Sequence, residues 1–193
     1  MDIKTDTTKK YGILLSGGID SAILLYLLIK SNPTINIQPF TIDKTDGAGL
    51  YANPIIDHLN CKFNLSMPPT IFVGDPTVYH REQSKTAVID IFTKHLDIDF
   101  LFVGINQNPP ELADDEHAPK RDSKSTHPKI IFPFVDLYKD AVLQFMYDYN
   151  QQDLLALTHT CTEQQYGRCN KCWQCRERMW AFRQLDKIDT GLL

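Results

Sequence analysis

No stretch of this 193-residue chain is long and apolar enough for a membrane span. The run Ala22 to Ile29 is far short of the roughly 20 residues a spanning helix needs, and Lys30 closes it. An excess of basic residues is also missing. Lys and Arg total 20 against 24 Asp and Glu, a net charge of -4. That balance argues against a broad nucleic-acid surface, while leaving room for a local basic patch. Met1 to Lys10 is polar and has no signal-peptide hydrophobic core. There is no internal repeat and no low-complexity tract. What remains is 42% apolar and 23% charged, an ordinary globular composition for one domain, or one domain with a small appendage. The expectation is a cytoplasmic protein with small-molecule partners, no membrane and no nucleic acid.

Cysteine is scarce too, but unevenly so. Of five in the chain, Cys161, Cys169, Cys172 and Cys175 fall within fifteen residues. In a reducing compartment such a cluster binds metal or does redox work more often than it forms disulfides. Cys61 stands alone and reads as a buried small hydrophobe.

Strand-like and helix-like segments alternate from the start. Residues 1–10 read as a disordered lead-in. Tyr11 to Leu15 reads as a short buried strand, Ser16 to Asp20 as a turn, and Ser21 to Lys30 as a helix ended by Ser31-Asn32-Pro33. Ile35 to Ile42 follows as a strand, with Pro39 as a complication. Tyr51 to Asn60 reads as a helix, Thr70 to Val73 as a strand, and Ser84 to Leu96 as a helix with Ala87, Val88, Ile91 and Phe92 at helical spacing. Phe100 to Gly104 is a buried strand and Ile131 to Phe134 a short one. Tyr138 to Tyr149 and Cys172 to Leu185 complete the helices. Residues 105–129, rich in Pro, Asp, Lys, Ser and His, form a long loop, read either as a lid or as a solvated excursion. The alternation implies right-handed crossovers and a parallel sheet with helices on both faces.

Ser16-Gly17-Gly18-Ile19-Asp20-Ser21 occupies the first strand-to-helix turn. Two glycines let backbone approach a ligand closely. The next helix directs its free N–H groups and positive dipole end at that ligand. Ser16 and Ser21 add hydroxyl donors, and Asp20 offers oxygen to Mg²⁺ on a phosphate. An ordinary turn with a capping Asp20 or Ser21 is the competing reading. The string is neither the Walker pattern nor the dinucleotide Gly-x-Gly-x-x-Gly pattern, and in this context it reads as a phosphate cradle.

Four thiolates suit Zn²⁺ with no open position, a structural site. An iron–sulfur cluster also uses four cysteines, and a redox Cys-x-x-Cys remains in play. Arg168, Lys171, Arg176, Arg178 and Arg183 crowd the cluster and read mainly as compensation for its negative charge. Trp173, Trp180 and Phe182 read as packing residues.

The string Leu14-Leu15-Ser16-Gly17-Gly18-Ile19-Asp20-Ser21 resembles the PP-loop of ATP pyrophosphatases. With Pro133-Phe134-Val135-Asp136-Leu137-Tyr138-Lys139-Asp140-Ala141, Leu157-Thr158-His159-Thr160-Cys161, and the Cys169, Cys172, Cys175 knuckle followed by Arg176, the chain resembles the 7-cyano-7-deazaguanine synthase family of that superfamily. The resemblance implies a Rossmann-like, adenine nucleotide α-hydrolase-like, doubly wound parallel sheet with a C-terminal zinc-binding helical appendage. It implies an ATP-binding domain over residues 11–150 and a zinc-binding region over 151–193. The residues it assigns to ATP are Leu15, Ser16, Gly17, Gly18, Ile19, Asp20, Ser21 and Asp43. It gives catalytic roles to Asp20, Ser21 and Lys139, and structural zinc to the four cysteines, with a homodimer as the family's habit.

The implied reaction is ATP-dependent conversion of 7-carboxy-7-deazaguanine and ammonia to the nitrile through an adenylate, in queuosine biosynthesis. The middle of the chain departs from the family. Lys44-Thr45-Asp46-Gly47-Ala48 replaces its Tyr-Gly-Gln-Arg-His stretch. His80-Arg81-Glu82-Gln83 is the nearest text to its Pro-Gly-Arg-Asn. Its Ser-Gly-Tyr-Pro-Asp-Cys-Arg loop gives way to Asn106-Gln107-Asn108-Pro109-Pro110-Glu111. A relative adenylating another carboxylate or base, tRNA sulfur transfer or lysine ligation, and a non-catalytic ATP-binding module are the alternatives.

Overall fold

The structure, a computed structural model, describes residues 1–42, 47–78, 80–121 and 127–190. Strands β1 (Lys10–Leu14), β2 (Asn36–Ile42), β3 (Ile71–Val73), β4 (Phe100–Val103) and β5 (Ile130–Ile131) form one parallel sheet in the order β3-β2-β1-β4-β5. The helices are α1 (Ile19–Ser31), α2 (Ala48–Phe63), α3 (His80–Lys94), α4 (Lys139–Asp148), α5 (Gln152–Ala156) and α6 (Trp173–Gln184). This is the expected α/β class, with helices on both faces of a parallel sheet.

Strand alternation divides the apolar residues between two cores. Tyr11, Ile13 and Phe102 point into the larger one, which α1, α2, α4, α5 and α6 cover. Phe40, Val73 and Leu101 point the other way, under Ala87 and Ile91 of α3. α1 is buried on every side, from Ile23 through Ile29, because it lies between the sheet and α4 and α5. None of the described helices is long and apolar enough to cross a membrane.

The order of strands positions the site. The chain steps from β1 to β2 to β3, then crosses back to β4 on the other side of β1. The winding therefore reverses between β1 and β4, and such reversals open a crevice at the carboxyl ends of the strands.

Pro39 sits inside β2, opposite Ile13. The Phe40 carbonyl accepts from Leu15 N–H on the β1 side, so position 39 turns toward β3. The β3 ladder begins only at Phe40, and no donor is demanded of the proline. The Gln38 side-chain amide bridges the Pro39 and Pro69 carbonyls there, at 2.9 and 3.2 Å.

Several local expectations are corrected. Cys61 is exposed, not buried. It follows the buried Ile55, Ile56 and Leu59 of α2 by an offset that carries it to the outer face. The strand expected at 131–134 is only Ile130–Ile131, since Pro133 has no N–H to extend the ladder. The long loop contains a 3₁₀ turn at Pro110–Leu112, and α5 was not expected. Within residues 1–9, Ile3 is buried in the larger core and the Asp6 N–H donates to the Tyr11 hydroxyl at 2.8 Å.

Candidate functional site

Leu15 is wholly buried, and the chain turns at Ser16, Gly17 and Gly18 into α1. Gly17 has φ +75°, and a Cβ there would lie 2.5 Å from the Tyr51 Cβ, so the turn requires glycine. Gly18 caps α1 with an extended backbone and no side-chain hydrogen bond. The first-turn N–H groups that no helix satisfies internally are thus left to a ligand. Ser21 stabilises the turn from within. Its hydroxyl accepts from Ser16 N–H at 3.1 Å, lies 3.2 Å from the Ser16 hydroxyl and donates to the Gly18 carbonyl at 3.2 Å. Across the crevice, a Cβ on Gly104, just past β4, would stand 3.1 Å from the Asp20 carbonyl carbon. The mouth of the β1/β4 switch is therefore lined by close backbone.

Behind the turn lies a buried charge cluster. Lys139, the first residue of α4, is 3% exposed and donates its ammonium to Asp20 Oδ2. The same Nζ is 3.4 Å from Glu177 Oε2 on α6. Glu177 is 1% exposed and is gripped by Arg121 at two points, Nη1 to Oε1 at 2.5 Å and Nη2 to Oε2 at 3.0 Å. Arg121 also donates to the Gln107 carbonyl at 3.2 Å, and its guanidinium lies 4.6 Å over the Trp173 ring. Two acids and two bases balance, as buried charges must. Asp20 Oδ1 is buried without a hydrogen-bond partner. Burial pushes the Asp20 carboxyl above its ordinary range, with Lys139 opposing and the Glu177 charge adding.

The sulfurs of Cys161, Cys169, Cys172 and Cys175 all lie within 4.8 Å of one another. Cys169 Sγ accepts from the Lys171 and Cys172 N–H groups at 3.4 and 3.2 Å, and Cys172 Sγ from Cys175 N–H at 3.4 Å as it caps α6. Such N–H donors favour thiolate. A hydrogen bond from Cys175 pulls the Cys172 thiol down to about 4, and its counterpart pushes Cys175 up. Four sulfurs this close fit a single metal ion. The donors are all cysteine sulfurs, with no carboxylate or imidazole among them.

The cysteine loop and the glycine turn are fastened together. His159 N–H donates to the Gly17 carbonyl at 2.9 Å, and its ring stacks on Tyr51 at 4.3 Å and 7°. His159 Nε2 is 2.9 Å from the Gly167 carbonyl, and Tyr51 donates to the Gln165 carbonyl at 2.6 Å. Three of the arginines expected to offset the thiolates, Arg168, Arg176 and Arg178, pair with aspartates. Arg178, fully buried, grips Asp189 through Nε and Nη2 at 2.7 and 2.9 Å and donates to the Thr158 and Thr160 hydroxyls. Arg168 shares Asp189, and Arg176 pairs with Asp115 of the long loop. Trp173 and Phe182 are buried packing residues.

Of the anticipated residues, Leu15 through Ser21 run without a break from the end of β1 into the first turn of α1, and Lys139 meets Asp20 directly. Asp43 lies outside the described residues. Glu177 and Arg121 were not anticipated. A glutamate between two arginines in a helix looks like a solvated face, and no local pattern marks Arg121.

No family model matches the chain, and no curated protein is similar to it in sequence at a significant level. Among solved structures, it is similar to NMN synthetase from Francisella tularensis, with a TM-score of 0.52 at 15% identity over 93% of this chain and 78% of that one. It is also similar to the U34-tRNA thiolase NcsA from Methanococcus maripaludis, described with its [4Fe-4S] cluster (TM-score 0.47, 18% identity, 92% of this chain and 65% of that one). The NH3-dependent NAD synthetase from Campylobacter jejuni gives a TM-score of 0.46 and 16% identity over 73% of this chain and 64% of that one. The chain spans less than two thirds of the thiolase and of the NAD synthetase. The likeness to the NMN synthetase bears on the fold alone, which is that of the adenine nucleotide α-hydrolases.

Proposed function

We propose that this chain binds Mg-ATP at the Ser16–Ser21 turn and cleaves it to AMP and pyrophosphate while adenylating an acceptor oxygen. The observation that carries the reading is the unpartnered Asp20 Oδ1 beside an uncapped helix N-terminus, at the mouth of the β1/β4 switch. Gly17, Gly18 and the first-turn N–H groups would receive the pyrophosphate oxygens, and Ser16 and Ser21 would donate to them. Asp20 would hold Mg²⁺, which when bound neutralises phosphate charge. Lys139 is a second cation beside the same phosphates. These residues position and stabilise charge, and the chemistry needs no protein nucleophile.

The resemblance to 7-cyano-7-deazaguanine synthases names the acceptor. The carboxylate of 7-carboxy-7-deazaguanine would attack the α-phosphate and expel pyrophosphate. Ammonia would displace AMP to give an amide, and a second adenylation with loss of AMP would leave the nitrile. We assign the ATP-binding domain to residues 11–150 and the metal-binding region to 151–193.

For the cysteine centre we favour structural Zn²⁺. Thiolates about 2.3 Å from one tetrahedral ion stand about 3.8 Å apart, and the observed sulfurs fit inside 4.8 Å. The thiolates of a four-iron cube sit on separate irons and spread wider.

The test is mass spectrometry of a reaction with Mg-ATP, 7-carboxy-7-deazaguanine and ammonium. A product of nitrile mass, lost in Asp20→Asn, supports the synthase. AMP and pyrophosphate with a different acceptor would move the reading to a diverged adenylating enzyme.

A further inference from the structure

Glu177 is a buried carboxylate with two cationic partners drawn from distant parts of the chain. Lys139 opens α4, and Arg121 lies in the loop between β4 and β5. Lys139 has two carboxylates, of which Asp20 is the one proposed to receive Mg²⁺ with the nucleotide. A divalent cation at Asp20 Oδ1 repels the ammonium on Oδ2 and weakens that contact. A buried ammonium without a fixed counter-charge is costly. Glu177, 3.4 Å from Nζ, supplies that charge from the other side. It cannot follow Lys139 toward the phosphates, because Arg121 holds both of its oxygens and is itself anchored on the Gln107 carbonyl and over Trp173.

We infer that Glu177 is a positioning residue for nucleotide binding. It retains the Lys139 ammonium beside the turn when the cation takes Asp20, and through Arg121 it holds the 105–121 segment against the same site. This rests on the Mg-ATP reading above. If Glu177 merely filled space, a glutamine of nearly the same volume would serve as well.

The experiment measures Mg-ATP affinity of the purified 193-residue chain by calorimetry for wild type, Glu177→Gln, Glu177→Asp, Lys139→Met and the Glu177→Gln/Lys139→Met double variant. Metal content and thermal unfolding are recorded alongside as controls for folding. Glu177→Gln is expected to weaken Mg-ATP binding roughly tenfold, the order of one charge-assisted hydrogen bond, with metal content unchanged. Glu177→Asp, which keeps the charge, is expected to stay within about threefold of wild type on the same scale. In the Lys139→Met background the Glu177→Gln effect should shrink below about twofold, since the two residues act as a unit. Equal losses in both backgrounds would overturn the inference, as would a Glu177→Gln protein that binds like wild type or a Glu177→Asp protein that loses as much as Glu177→Gln. Wild-type protein that binds no Mg-ATP would refute the functional reading itself, and this inference with it.

Discussion

Replacing Gly17 by alanine should damage the protein in a way that replacing Gly18 does not, although the two glycines are adjacent. Gly17 has φ +75° and Gly18 has φ -84°. A non-glycine residue in the left-handed region costs about 1–2 kcal/mol. The new methyl of Gly17→Ala would also lie 2.5 Å from the Tyr51 Cβ, an atom tied to the α2 backbone rather than the end of a flexible side chain. Relieving such overpacking costs about 1–3 kcal/mol. Together these give about 2–5 kcal/mol, or a melting temperature lower by roughly 4–20 °C for a domain of this size. At Gly18 the nearest atoms to a Cβ are the Ser16 hydroxyl at 3.4 Å and the His159 carbonyl at 3.5 Å, ordinary contact distances. Gly18→Ala should therefore shift unfolding by less than about 1 kcal/mol. Thermal unfolding followed by circular dichroism reads both, and Mg-ATP titration should show lost binding in Gly17→Ala. Moving Tyr51 also disturbs its stack on His159 and its bond to Gln165. Equal stability of the two variants would refute this account of the turn.

The remaining predictions concern the C-terminal region. In metal-loaded protein, one thiol, the exposed Cys61, should react rapidly with a thiol reagent, and the four clustered cysteines should join it after chelation. Five fast thiols in untreated, metal-replete protein would contradict a closed metal site. Metal removal should also weaken Mg-ATP binding, because His159 and Gln165 of the cysteine region brace Gly17 and Tyr51; calorimetry before and after chelation checks this. Arg178→Met should cost about 2–3 kcal/mol, since it removes the partner of the buried Thr158 hydroxyl and of Thr160, while Asp189 keeps Arg168. Denaturant unfolding measures that loss, and a change under about 1 kcal/mol would count against a structural role for the pair.

The parts legible in the sequence are those specified locally. The β1 turn and α1 follow from an apolar run, two glycines and a second apolar run, and the cysteine centre from spacing alone. α5 is five residues long, too short to show a period, and the short β5 is cut by Pro133. Cys61 was misjudged because burial depends on which face of α2 it occupies, and residue type does not carry that. The charge cluster was missed for a different reason. Glu177 looks solvated between Arg176 and Arg178, and it is buried only because Arg121, 56 residues away, and Lys139 converge on it. Likewise the arginines near the cysteines read as compensation for thiolate charge, but Asp115 and Asp189 claim Arg168, Arg176 and Arg178 through tertiary contacts.

The most direct test of the central claim is the identity of the nucleotide products when the protein turns over Mg-ATP with 7-carboxy-7-deazaguanine and ammonium. The account predicts AMP and pyrophosphate in equal amounts, with the rate reduced at least about a hundredfold in Asp20→Asn, the order seen when a preorganised charge-stabilising group is lost. Release of ADP and phosphate, or a rate indifferent to Asp20, would contradict it.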